Sequence, residues 1–235
     1  NHIIAAVKPA GVLAQGDKTG DVSMYEMVKD YIRIKKGKPS LLEPGNAPVV
    51  ERKAFTTGPR TEAKASGTGV FVGLLHRLDR PVSGIMLFAK TSKGASRLSE
   101  QFRNHTIEKT YHALVCGKPA AQKGVLQNTL GKDEKLKKAK EYDDGQAVKL
   151  YYELVKSNGK RSLLKIKIEG GKFHQIRAQL SLAGFPILGD VKYGGEKWPN
   201  EGAIALCATG LSFIAATVDK KVDLTIEIPS WPLDN

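Results

Sequence analysis

Apolar residues alternate at Leu150, Tyr152 and Leu154, and again at Leu164, Ile166 and Ile168, which predicts two strands joined through Ser157-Asn158-Gly159. Helical spacing takes over elsewhere. Val22, Tyr25, Val28 and Ile32 form a stripe that predicts a helix over 22–35 with Asp21 as its cap. Ala95, Leu98 and Phe102 predict a second helix from Ser92, its expected cap, to about His105. A third runs from about Phe173 to Ala183 and stops at Gly184, with Pro186 just beyond. Short apolar runs at 3–7 and 110–115 read as strands, as do late runs at 202–208, 211–214 and 222–228. The lysine-rich piece from Lys132 to Glu141 reads first as a solvated hairpin edge and second as a phosphate contact. Periodicity is lost from Gly37 to Thr68, which is read as a mobile insertion over about 37–70. No repeat or linker divides the chain, so residues 1–235 are expected to form one α+β domain on a mixed, mainly antiparallel sheet with flanking helices.

Charge adds a partner. The 235 residues carry a formal net charge of +13. The lysines and arginines are spread along the chain, which points to a polyanion, nucleic acid first. Cys116 and Cys207 lie far apart with no paired spacing, which argues against a zinc site or a disulfide framework and suits a reducing intracellular compartment. The longest apolar run, Ala203 to Val218, is shorter than the ~20 residues a spanning helix needs, so no membrane segment is expected.

The densest chemistry lies in Leu75-His76-Arg77-Leu78-Asp79-Arg80-Pro81-Val82-Ser83-Gly84, a charged turn between two apolar runs. Asp79 stands between Arg77 and Arg80, which favour its ionised form. By spacing alone it is either a nucleophile, base or electrostatic stabiliser, or a structural ion pair. A second group is Gly170-Gly171-Lys172-Phe173-His174-Gln175-Ile176-Arg177. There His174, Arg177 and Ser181 share one helix face, and the glycines are expected to leave the first helical N–H groups open to an anion. Lys109-Thr110-Tyr111 and Pro186-Ile187-Leu188-Gly189-Asp190 complete the set. Nothing marks Asp190, Glu108 or Glu169 as a carboxylate partner of Asp79, so two-carboxylate glycoside chemistry is set aside.

These four pieces, in this order, resemble the RluA-type pseudouridine synthases from about Ile3 to Pro229, beginning with Ile4-Ala5-Ala6-Val7-Lys8-Pro9-Ala10-Gly11. The resemblance implies isomerisation of uridine to pseudouridine in rRNA or tRNA, a central active-site cleft, and no metal or organic cofactor. It makes Asp79 the essential aspartate, acting by covalent attack or by removing a sugar proton. Tyr111 would lie against the base, Arg177 would pair with Asp79, and Arg77 would enter the RNA where the base flips out. His76, Arg80, His174 and Lys109 are placed among the RNA-contacting residues, and Leu188 in the pocket. A monomer is expected, without the small S4-type domain some members carry. Lys172-Phe173 stands where Arg-Thr is common, and the 38–70 segment is longer than usual. The alternative is an RNA-binding or RNA-folding factor that keeps the fold without the activity. The intact Asp79, Tyr111 and Arg177 favour the enzyme.

Overall fold

In the computed structural model, residues 2–38, 69–200, 202–216 and 218–233 are described. The core of the expected 37–70 insertion lies outside them. In chain order the strands are β1 (Ile3–Lys8), β2 (Gly73–Leu74), β3 (Ser83–Ala89), β4 (Glu108–Cys116), β5 (Lys123–Asp133), β6 (Lys138–Glu141), β7 (Gln146–Ser157), β8 (Arg161–Ile168), β9 (Leu206–Ile214) and β10 (Lys221–Thr225). The helices are α1 (Met24–Lys35), α2 (Ser92–Arg103) and α3 (Gln175–Leu182).

All ten strands join one sheet in the order β1-β3-β9-β4-β8-β7-β5-β6, with β2 on β3 and β10 on β9. Among these strands only β3 and β9 run parallel. The expected α+β class with a mixed, mainly antiparallel sheet therefore holds. The alternation in β7 and β8 buries Leu150, Tyr152, Leu154, Leu164 and Ile166 as the pattern requires. On β3, Met86 and Phe88 join the core cluster that includes α1 and α3 residues, while Ile85 and Leu87 pack with Leu98 of α2. Successive side chains of one strand thus serve both faces of the sheet.

Three boundaries differ from the sequence pattern. The cap of α1 is Ser23, not Asp21: Ser23 and Glu26 form a reciprocal capping box. The cap of α2 is Thr91, one residue before Ser92. The two expected strands at 202–208 and 211–214 are one continuous β9, with a register shift where it faces Thr110 and Tyr111. The bulge falls at Thr209, which the pairing skips between Gly210 and Ala208. The lysine-rich piece forms the β5–β6 hairpin at the sheet edge, as expected.

The parallel contact between β3 and β9 spans only Ser83–Cys207 and Gly84–Ala208. Across β9, Ala208 faces Tyr111 and Cys207 faces His112 of β4. One residue of β9 therefore separates Gly84, at the exit of the Asp79 turn, from Tyr111. Gly84 has φ 128°, and a Cβ there would lie 2.4 Å from the N and O atoms of Ala208. Only glycine meets both demands. Gly84→Ala is expected to destabilise the protein by about 3 kcal/mol or more, because the obstacle is backbone. Urea unfolding measures this, and a loss under ~1 kcal/mol would remove the close-approach argument.

Candidate active site

The turn between β2 and β3 carries Asp79, and its backbone is held from below. The fully buried Lys8 donates from Nζ to the carbonyls of Pro9 (2.9 Å), Val12 (2.6 Å) and Arg80 (3.0 Å). Burial pushes the Lys8 pKa down to about 7, against the opposing pull of the Asp79 charge. Arg80 donates to the Gly11 carbonyl at 2.9 Å and pairs with Asp21 at 2.9 Å. The Arg80 carbonyl in turn accepts the Gly11 N–H at 2.8 Å. Arg80 is thus committed to tying the turn to the segment after β1. Arg77 is exposed and makes no hydrogen bond or ion pair with another described residue.

Asp79 Oδ2 lies 3.2 Å from Nη1 of Arg177 and 3.5 Å from Nε2 of His174. Arg177 spends its other nitrogens on Asp190: Nε to Oδ2 at 2.7 Å and Nη2 to Oδ1 at 2.8 Å. Burial works against the guanidinium charge, but the two carboxylates outweigh it and raise its pKa. The expected Arg177–Asp79 pair is therefore present as the minor half of a triad. Asp190 is only 1% exposed, so the pattern that set it aside missed a residue one guanidinium away from Asp79. Its cue was the arginine, since a buried carboxylate needs a charged partner.

The helix presenting Arg177 is positioned by two further residues that periodicity did not mark. Gln175 donates to the Lys149 carbonyl at 3.0 Å, and Gln179 to the Leu126 carbonyl at 3.0 Å. Both are buried, and they tie α3 to β7 and β5. The first helical N–H is not open to an anion, because Gln175 N–H donates to the Lys172 carbonyl at 3.1 Å. His174 precedes α3 with φ 51° and contributes no side-chain cap.

A cavity of about 870 Å³ spans this site, lined by the 75–81 turn, Lys109, Tyr111, Phe173, His174, Arg177 and Lys192. Tyr111 is buried, and its hydroxyl has no hydrogen-bond partner among the described residues. Burial and then the nearby Asp79 charge push its pKa above the ordinary tyrosine value, so it stays a phenol. Lys109 is buried with Nζ donating to the Gly170 carbonyl, which fixes the turn into α3. His76 accepts the Leu87 N–H at Nε2 (3.0 Å) and stacks on Phe102. Leu188 does not line the cavity: its backbone bridges Leu114 and Ala205, and its side chain sits in the core. Among the described residues no group of three His, Cys, Asp or Glu could hold a metal ion.

Two outcomes test this arrangement. Arg177→Met leaves the Asp190 carboxylate buried and unpaired, at an expected cost of about 3–5 kcal/mol. Adding Asp190→Asn should restore part of that stability; additive losses in the four-protein unfolding cycle would refute the coupling. The second concerns pH. Burial lowers the pKa of His76 and of His174 to about 4. Unfolded histidine takes up its proton near pH 6.5, while these two stay neutral to about pH 4. Their contribution is therefore complete above pH 6.5 and is lost as pH falls. Between pH 7 and 5 the expected decline is on the order of 1–2 kcal/mol per histidine. Urea titrations should show a shallower slope for His76→Gln, and a flat wild-type profile would contradict the assignment.

Comparison with known proteins agrees with this geometry. A family profile described as RNA pseudouridylate synthase matches residues 2–182. Ribosomal large subunit pseudouridine synthase C of Rickettsia prowazekii is 33% identical over 98% of this chain and 67% of its own length. Ribosomal large subunit pseudouridine synthase D of Zymomonas mobilis is 31% identical over 71% of this chain and 56% of its own. Among solved structures, human RNA Pseudouridylate Synthase Domain Containing 4 superposes with a TM-score of 0.67 over 97% of this chain and 86% of its own, at 19% identity, which supports the fold. With the profile covering most of the chain and the relatives agreeing, this chain belongs to the RNA pseudouridylate synthase family, enzymes that isomerise uridine in RNA to pseudouridine.

Proposed function

We propose that this enzyme modifies large-subunit ribosomal RNA and that Asp79 is the group that acts on the ribose of the target uridine. The observation that carries the reading is the Asp79 carboxylate, paired at 3.2 Å with a buried arginine inside a cavity that also holds Tyr111. The ribosomal substrate rests on the names of the relatives from Rickettsia and Zymomonas.

The reaction breaks the C1′–N1 bond, rotates the uracil, and forms C1′–C5. One proton leaves C5 and one is gained at N1. The detached base has to remain beside the sugar, which calls for an enclosed site with preset geometry. Arg177 orients the Asp79 carboxylate and favours its charge. Tyr111, held as a phenol, suits stacking on the uracil and hydrogen bonding better than proton removal as a phenolate. The target base has to leave the stack, at roughly a few kcal/mol. Arg77, exposed on the same turn and without a described partner, suits insertion at the vacated place. Arg80, His76 and Lys109 line the same cavity and also hold the turn and its neighbours, through the bonds of Arg80 to Gly11, of Leu87 N–H to His76 Nε2 and of Lys109 to Gly170.

Lys132 and Lys138 of the hairpin lie 5.5 Å from the rings of Phe173 and Tyr193. With Lys192 at the cavity they give a cationic rim suited to phosphates. The proposed groups stand on a turn, a helix and strands gathered around one sheet, which supports a single catalytic domain.

Tritium release from RNA carrying 5-tritiated uridine tests the reading, because C5 gives up its hydrogen when the new bond forms. Wild type should release tritium from large-subunit rRNA, and Asp79→Asn should fall by about a thousandfold or more. Release by the variant at the wild-type rate would remove Asp79 from the chemistry. Release from tRNA alone would overturn the ribosomal assignment. No release by wild type from either RNA would favour an RNA-binding factor.

A further inference from the structure

Beyond Asp79, Tyr111 and Arg177, we propose that Tyr193 is a positioning residue: its hydroxyl holds His174 as the Nε2–H tautomer, and that N–H is a second donor aimed at Asp79 Oδ2. The inference rests on Asp79 being the reacting carboxylate.

Tyr193 ends the short 3-10 turn Val191–Tyr193, directly after Asp190. Its oxygen accepts the Ala139 N–H at 2.7 Å. An amide N–H can only donate, so the hydroxyl proton has to go elsewhere. The acceptor within reach among the described residues is Nδ1 of His174, at 2.8 Å. A neutral imidazole that accepts at Nδ1 carries its proton at Nε2. Nε2 in turn faces Asp79 Oδ2 at 3.5 Å. The opposite tautomer would set an imidazole lone pair against a carboxylate oxygen. Burial, which lowers the His174 pKa to about 4, keeps the ring neutral near pH 7.

The same tyrosine holds the other donor. Cζ of Arg177 lies 5.0 Å from the Tyr193 ring centroid, and the His174 ring meets it edge-on at 5.6 Å. One side chain therefore braces both groups that converge on Oδ2. Oδ1 meets no partner among the described residues and is left for the ribose. His174 accepts a left-handed backbone that costs a non-glycine residue energy, and it caps nothing. The strained backbone turns the ring toward Asp79. A gap of 3.5 Å is longer than a formed hydrogen bond and closes when substrate seats.

Nitrogen-15 NMR of the histidine-labelled full chain reads the tautomer directly, with His174→Asn identifying the signal. Wild type should show His174 protonated at Nε2. Tyr193→Phe should mix the tautomers and slow single-turnover pseudouridine formation about tenfold to a hundredfold, with RNA affinity within about threefold. His174→Gln keeps an N–H at the ε position and should stay within about tenfold of wild type. His174→Asn suits the left-handed backbone but ends at the δ position, and should lose about a hundredfold. An Nδ1–H tautomer in wild type would overturn the proposal, as would an unchanged tautomer and rate in Tyr193→Phe or equal losses in the two His174 variants. Should Tyr193→Phe not fold, the His174 pair decides. A wild type that forms no pseudouridine defeats the functional reading instead, and the nitrogen spectrum still decides the tautomer.

Discussion

A buried guanidinium shared by two carboxylates is the constraint around which this molecule is arranged. Arg177 cannot shed its charge, so burial obliges the fold to supply negative partners. Asp190 supplies the bidentate one and Asp79 the single remaining contact. The division matters. A guanidinium held only by the partly exposed Asp79 would move with that carboxylate. Docked on Asp190, it stays in place and leaves Asp79 partly exposed to the cavity.

Bringing these groups together requires three stretches far apart in sequence to meet. The sheet accomplishes this with very little direct pairing. β3 touches β9 at two residue pairs, and β4 flanks β9 on its other side, so the Asp79 turn and Tyr111 face each other across one strand. Helix α3 comes in from the far half of the sheet, secured by Gln175 and Gln179 to β7 and β5. Lys8 completes the assembly by binding three carbonyls around the turn. The Asp79 loop is therefore clamped at its backbone while its side chain remains open to the cavity.

Much of the fold could be read from the sequence because burial on one face imposes a two-residue period. β7, β8 and the helical stripes of α1 and α2 are visible for that reason. Caps were misplaced by one or two residues, because Asp21, Ser23, Thr91 and Ser92 are chemically equivalent capping candidates until the backbone bends. The site was legible where polar residues interrupt apolar runs, as at Asp79 and Arg177. It was illegible where a residue matters through a partner distant in sequence. Spacing marks none of Asp190, Tyr193 and Lys8, because each meets its partner only once the chain folds. Leu188 failed in the opposite sense: an apolar residue beside the site's motif packs into the core instead.

The charge distribution explains why a protein of net charge +13 need not place bare cations at its reactive centre. Inside the cavity, Arg177 is matched by Asp79 and Asp190, and His174 is neutral. Tyr193 remains a phenol, its pKa pushed up to about 12 chiefly by burial. Positive charge stands at the rim on Arg77, Lys138 and Lys192, joined by Lys132, which is paired with Glu134 at 2.8 Å. Rim charges act over a Debye length and draw in a polyanion whatever its sequence. A bare cation beside Asp79 would instead draw a phosphate into the cavity itself. Separating the two tasks lets the rim attract a polyanion while the Asp79 carboxylate in the centre stays paired with Arg177.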